Sequence, residues 1–240
     1  MGHIITDLKE TFRRGNTFIR LIYINVGIFV IGTLISVILQ LFNLSATGIF
    51  DLFALPASLH RFILQPWSLL SYMFMHAGFL HILFNMLWLY WFGSLFLYFF
   101  SGKHLRGLYV LGGICGGLFY MIAYNIFPYF SQTLPFSTLV GASASVLAIV
   151  AYREPNYRVQ LFLFGAVRLK YLALIVIGTD LLFITSNNAG GHIAHLGGAL
   201  AGLWFAASLS KGKDVTYWIN WFLDGFASLF QKKTWKRKPK

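Results

Sequence analysis

The chain has 240 residues, of which 58% are hydrophobic, 18% aromatic and only 11% charged. Nineteen bases and seven acids cannot clothe a soluble globule of this size, whereas a surface facing lipid needs no polar coat. The composition predicts an integral membrane protein, and the single cysteine, Cys115, excludes an internal disulfide framework or a thiolate metal cluster.

Residues 1–20 form a basic N-terminal segment in which Lys9, Arg13, Arg14 and Arg20 precede the first apolar run. No cleavable signal peptide is expected, because no A-x-A-like site follows that run. Stretches near 21–42, 79–100, 108–130, 171–187 and 191–209 approach the roughly 20 apolar residues that cross a bilayer. A further stretch, 139–152, is short and at ~1.5 Å per residue reaches about 20 Å, so it is expected to begin partway down from one surface. The loop 43–68 mixes apolar residues with Asp51, His60 and Arg61 and reads as an amphipathic interfacial segment. The tail segment 215–230, with Trp218, Trp221, Phe222 and Phe226, reads likewise. The predicted fold class is an all-α membrane protein of six transmembrane helices with a short central fourth helix. Its membrane domain covers 21–210 and a basic tail covers 211–240.

The bases sort by side. Lys103 and Arg106, then Arg153, Arg158, Arg168 and Lys170, then the C-terminal cluster fall in alternate loops with the N-terminus, and only Arg61 falls opposite. By the positive-inside rule both termini are expected in the cytoplasm. The net charge of +12 then reads as juxtamembrane attraction to anionic lipids, not as a nucleic-acid surface.

Polar side chains within apolar spans are costly and so mark candidate sites. His76, His81 and Asn85 lie in HAGFLHILFN, with His81 and Asn85 four apart on one helix face. Ser143 lies in GASA at the start of the short helix, His192 and His195 lie in GGHIAHLGGALAG, and Asp180 stands alone in the fifth span. Counted from the basic loops, Ser143, Asn85 and His195 fall at similar depth, roughly 15 to 25 Å from the inner face. A serine, a histidine and an amide donor at one depth supply the nucleophile, base and oxyanion stabiliser of acyl transfer.

These residues resemble the rhomboid intramembrane serine proteases. The resemblance rests on His76, His81 and Asn85 as H-x4-H-x3-N, Gly141 and Ser143 as G-x-S, and Ala194, His195, Gly198 and Gly202 as A-H-x2-G-x3-G. It implies that Ser143 attacks a peptide carbonyl in or near a substrate's transmembrane helix, with His195 as base in a dyad that lacks a third acid. It also implies an oxyanion held by His81, Asn85 and the Ser143 backbone N–H. Supporting roles fall to His76 at the cavity loop and to Gly141, Gly198 and Gly202, which let helices approach closely. The chain departs from the family at Ala144, Ser68 and Leu147, the last where a tyrosine commonly underlies the catalytic imidazole.

No cofactor or metal is expected, although His192 and His195 at i, i+3 have ligand spacing, because no carboxylate accompanies them in sequence. Asp180 is expected to bond a neighbouring helix through Thr179, Ser186 or backbone. The glycines of LGGICGGL read as helix packing, with Cys115 a packing residue among them. The fifth span and the loop 187–191, with Asn187, Asn188 and two glycines, are expected to gate access. Partners are transmembrane substrates and anionic lipids, in a multi-pass protein of the bacterial cytoplasmic-membrane type. A non-proteolytic binder of transmembrane clients is the alternative, and a small transporter or proton channel the third.

Overall fold

The computed structural model describes Thr6 and residues 10–141, 156–161 and 165–230. Its long helices are α1 (Thr17–Leu41), α5 (Phe79–Phe99), α6 (Gly102–Ile126) and α8 (Ala189–Leu209), and these four are long and apolar enough to cross a membrane. The shorter helices are α2 (Thr47–Phe53), α3 (Leu59–Leu64), α4 (Ser68–Ser71), α7 (Leu169–Leu182) and α9 (Tyr217–Phe230). Strand β1 (Leu55–Pro56) pairs antiparallel with β2 (Thr138–Leu139), and β3 (Arg158–Leu161) with β4 (Gly165–Arg168). The all-α expectation is therefore modified by two short strand pairs. Most of the expected short fourth helix, Ser143 included, lies outside the described residues, and its expected first residue, Leu139, is strand.

Helix α6 is the axis of the bundle, and glycine makes it so. A Cβ on Gly116 would stand 2.8 Å from the Ala194 carbonyl oxygen, and one on Gly197 would stand 2.8 Å from the Cys115 carbonyl and 2.9 Å from the Gly116 Cα. Helices α6 and α8 thus touch backbone to backbone, the close approach that small residues permit in lipid. The packing role expected of LGGICGGL holds, and half-buried Cys115 sits within that contact. Gly107 gives α9 the same access, since a Cβ there would meet the side chains of Thr216 and Asn220. α6 also begins earlier than expected, at Gly102, because the Ser101 hydroxyl caps it by accepting the His104 N–H at 3.2 Å.

Helix α1 is the least buried span, with Ile31, Leu34, Ile38 and Leu41 on its outer face as lipid-facing surface. Its anchors are Phe18 against Gly93 and a polar residue missed in the sequence, Asn25. Buried Asn25 donates to the Leu21 carbonyl at 2.8 Å and to the Tyr109 hydroxyl at 3.4 Å, and Tyr109 donates to the Met73 carbonyl at 2.9 Å. In hydrocarbon such a chain fixes one helix against another because each group lacks water as an alternative partner.

The loop 43–68 is helical in two short pieces around β1, and Trp67 ties it down by donating from Nε1 to the Leu52 carbonyl at 2.9 Å. The tail helix α9 lies within the 215–230 segment. Arg106 of α6 holds it through Asn220 Oδ1 at 3.0 Å and Asp224 Oδ1 at 2.8 Å.

Candidate active site

The site is built on the β1–β2 pair. Leu139 pairs with Leu55, and two residues later the Gly141 N–H donates to the Tyr72 carbonyl at 2.9 Å. Tyr72 is fully buried and donates its own hydroxyl to the Gly113 carbonyl, so the strand is tied to the bundle axis. Gly141 has φ +94°, a conformation that side chains other than glycine rarely adopt. A Cβ there would lie 3.3 Å from His81 Nε2 and 3.5 Å from Asn85 Nδ2. His81 and Asn85 of α5 thus converge on one point beside this glycine.

Both present donors to that point. The Ala77 N–H donates to His81 Nδ1 at 3.2 Å, which makes Nδ1 the acceptor and leaves the ring proton of the neutral imidazole on Nε2. Asn85 Nδ2 is buried with no hydrogen-bond partner among the described residues, a costly state for an amide unless a further group visits it. His76, in the segment before α5, stacks edge-on against His81 with ring centroids 5.2 Å apart. Burial, and then the neighbouring His81, push its pKa down to about 4, so it places no cation beside the donors at neutral pH.

His195 of α8 faces this group across a cavity of about 420 Å³ that Gly141, His81, Asn85, Trp88 and Asp180 also line. A wider cleft of about 1240 Å³ reaches His76, His81 and Asn188 from the polar residues Thr33, Ser36 and Gln40 of α1. The carboxylate of Asp180 on α7 accepts from His195 Nδ1 at 3.1 Å and from His192 Nδ1 at 2.8 Å, all on Oδ1. This corrects the sequence expectation twice. Asp180 does not use Thr179, whose hydroxyl donates instead to the Val176 carbonyl, and His195 has a carboxylate on its Nδ1 where the resemblance implies no acid.

The rhomboid-domain family model matches residues 64–212. The chain belongs to the rhomboid family. It is 31% identical over 161 residues to the mitochondrial rhomboid-like protein 12 of Arabidopsis thaliana, covering 61% of this chain and 47% of that one. It is 30% identical over 173 residues to rhomboid-related protein 2 of Mus musculus, covering 65% of this chain and 54% of that one. The chain spans about half the length of these curated relatives. The rhomboid domain and the apolar helices together mark a membrane protein.

The rhomboid motif residues divide into three groups in the structure. His76, His81, Asn85, Gly141 and His195 gather around the cavities, with Gly141 against both donors. Gly198 and Gly202 are buried on α8. Ser143 and Leu147 lie outside the described residues. Gly190 and Gly191, expected in the short loop 187–191, fall in the first turn of α8, and Gly190 is needed because a Cβ would stand 2.9 Å from the Tyr120 ring.

Asp180, His192 and His195 also bring three ligand atoms within 4.8 Å of one another, so the carboxylate absent from the sequence motif is supplied by the fold. The two Asp180 contacts are of hydrogen-bond length, 2.8 and 3.1 Å.

Proposed function

We propose that this rhomboid is an intramembrane serine protease that cleaves peptide bonds in or near transmembrane segments of membrane-anchored substrates. The observation that carries the reading is the convergence of His81 Nε2 and Asn85 Nδ2, one a proton-bearing ring nitrogen and the other an amide nitrogen unpartnered among the described residues, on one point beside Gly141. Ser143 follows Gly141 by two residues, and two residues of chain reach at most about 7 Å.

In this reading Ser143 Oγ attacks the scissile carbonyl carbon while His195 Nε2 takes its proton. The carbonyl oxygen becomes an oxyanion that accepts from His81, Asn85 and the Ser143 N–H. On collapse the C–N bond breaks and His195 returns the proton to the leaving amine. Water then repeats the sequence on the acyl-serine. The wide cleft from α1 supports that step, since its polar lining offers water a route to His81.

The surrounding assignments belong to the same proposal. They are a six-span bundle over 21–210 with a short fourth helix carrying Ser143, both termini in the cytoplasm of a bacterial-type membrane, and basic segments at 1–20 and 211–240 on anionic lipid. Gly141, Gly198 and Gly202 would keep the fourth and sixth spans close.

Fluorophosphonate labelling of the purified protein in detergent tests the core of this. Labelling is expected in the native chain and lost in Ser143→Ala and His195→Ala. A folded native protein that does not label would transfer the assignment to a non-proteolytic binder of transmembrane clients.

A further inference from the structure

We propose that Asp180 is the positioning residue for His195, completing a Ser-His-Asp relay whose acid is shared with His192. The inference rests on the protease reading above.

Asp180 is buried, its side chain 6% exposed, and its Oδ1 accepts from both imidazoles. A buried carboxylate is costly unless charge-assisted bonds satisfy it, and two Nδ1–H donors do so. A purely structural tie between α7 and α8 is already made by His192, which stands closer at 2.8 Å and packs its ring against Phe183. The second bond does something that tie does not require. By accepting the His195 Nδ1–H it fixes the tautomer that leaves the lone pair on Nε2, the atom a base must use, and it holds the ring plane. The acid arrives from α7, a helix other than the one bearing His195, and supplies a support that the family commonly takes from a tyrosine at the position where this sequence has Leu147.

His192 sets how strongly the relay acts. Each donor on Oδ1 disperses part of the carboxylate's charge, so the bond to His195 is weaker than an unshared one. The groups facing His195 among the described residues are Asp180 from α7, His192 on its own helix and His81 from α5. Only the first is an acid.

Opposite displacements of one pH profile test this. Cleavage of a fluorogenic single-span peptide by the full chain in proteoliposomes would be followed from pH 5 to pH 9. In Asp180→Asn, kcat is expected to fall on the order of 10² to 10⁴-fold with KM little changed, and the acid limb of kcat/KM to move to lower pH. In His192→Phe, which leaves Asp180 to His195 alone, the same limb is expected to move to higher pH. A structural tie would change stability and amplitude but not move the limb in opposite directions. Profiles that superimpose on the native one in both variants would overturn the proposal while leaving the protease reading intact. Should Asp180→Asn not fold, His192→Phe decides by itself: an upward move supports the relay and an unmoved limb overturns it. A native chain with no fluorophosphonate labelling at Ser143 would instead sink the protease reading, and the relay with it.

Discussion

Gly141 lies against His81 so closely that a Cβ on the glycine would stand 3.3 Å from the imidazole Nε2, and its φ of +94° disfavours any side chain there. Two penalties therefore meet in Gly141→Ala. The backbone conformation costs about 1–2 kcal/mol for an L-residue, and the methyl occupies the point on which the two donors converge. The variant should lose roughly that stability in a thermal melt and lose fluorophosphonate reactivity by far more than the stability change accounts for. Equal fractional losses in both would count against the convergence point being functional.

Asn85 is the cleaner probe of that point. Its Nδ2 satisfies no described group, so truncation should barely harm the fold. Asn85→Ala is expected to lower kcat about 10²–10³-fold, the usual effect of deleting one oxyanion donor, with KM nearly unchanged. A mainly KM effect would reassign Asn85 to substrate binding.

The α6–α8 contact predicts where bulk is forbidden. Gly197→Ala places a methyl 2.7 Å from the Phe119 Cβ and 2.8 Å from the Cys115 carbonyl, so the helices must part. A loss of about 1–3 kcal/mol is expected, as for other overpacked sites, and labelling should fall because α8 carries His195. Gly27→Ala on α1 meets nothing within 4 Å and should be neutral or slightly stabilising. Similar melts for the two variants would remove the argument that α6 and α8 touch through backbone.

The tail helix should respond to acid. Arg106, by a hydrogen bond and its charge, and Lys103 hold the Asp224 carboxyl below the usual carboxylate range. Because the docked value is depressed, this contribution is complete above the ordinary carboxylate pKa of about 3.9 and is lost as pH falls through the docked value. Emission from Trp218 and Trp221 should report loosening of α9 in that acid window, sooner at high salt because Asp224 is exposed. Arg106→Gln should show the loosened state at neutral pH. Unchanged emission in Arg106→Gln would mean that the Gly107–Thr216 contact alone seats the helix.

Much of the site was legible in the sequence because it obeys local rules. His81 and Asn85 share a face by helical spacing, and costly polar groups in apolar runs single out His195 and Asp180. What stayed hidden is tertiary. Nothing in a 3.6-residue period states that α7 turns Asp180 toward α8, so the sequence points the acid only to Thr179, Ser186 or backbone. Gly190 reads as a loop residue because glycine signals both turns and close packing, and only the Tyr120 ring against it decides for packing. Asn25 was lost among apolar neighbours, its partner Tyr109 being 84 residues away. The β1–β2 pair is not legible because two-residue strands carry no periodicity.

The β1–β2 pair has a consequence for how the molecule comes into being. Leu55 must wait for Leu139, and the donors of α5 must wait for a histidine on α8 that is seated through Gly116 and Gly197. In the protease reading proposed above, a nascent chain carries His81 and Asn85 well before it carries His195. The proposed chemistry then waits for α8, the last of the four long helices described, and a half-inserted chain lacks its base.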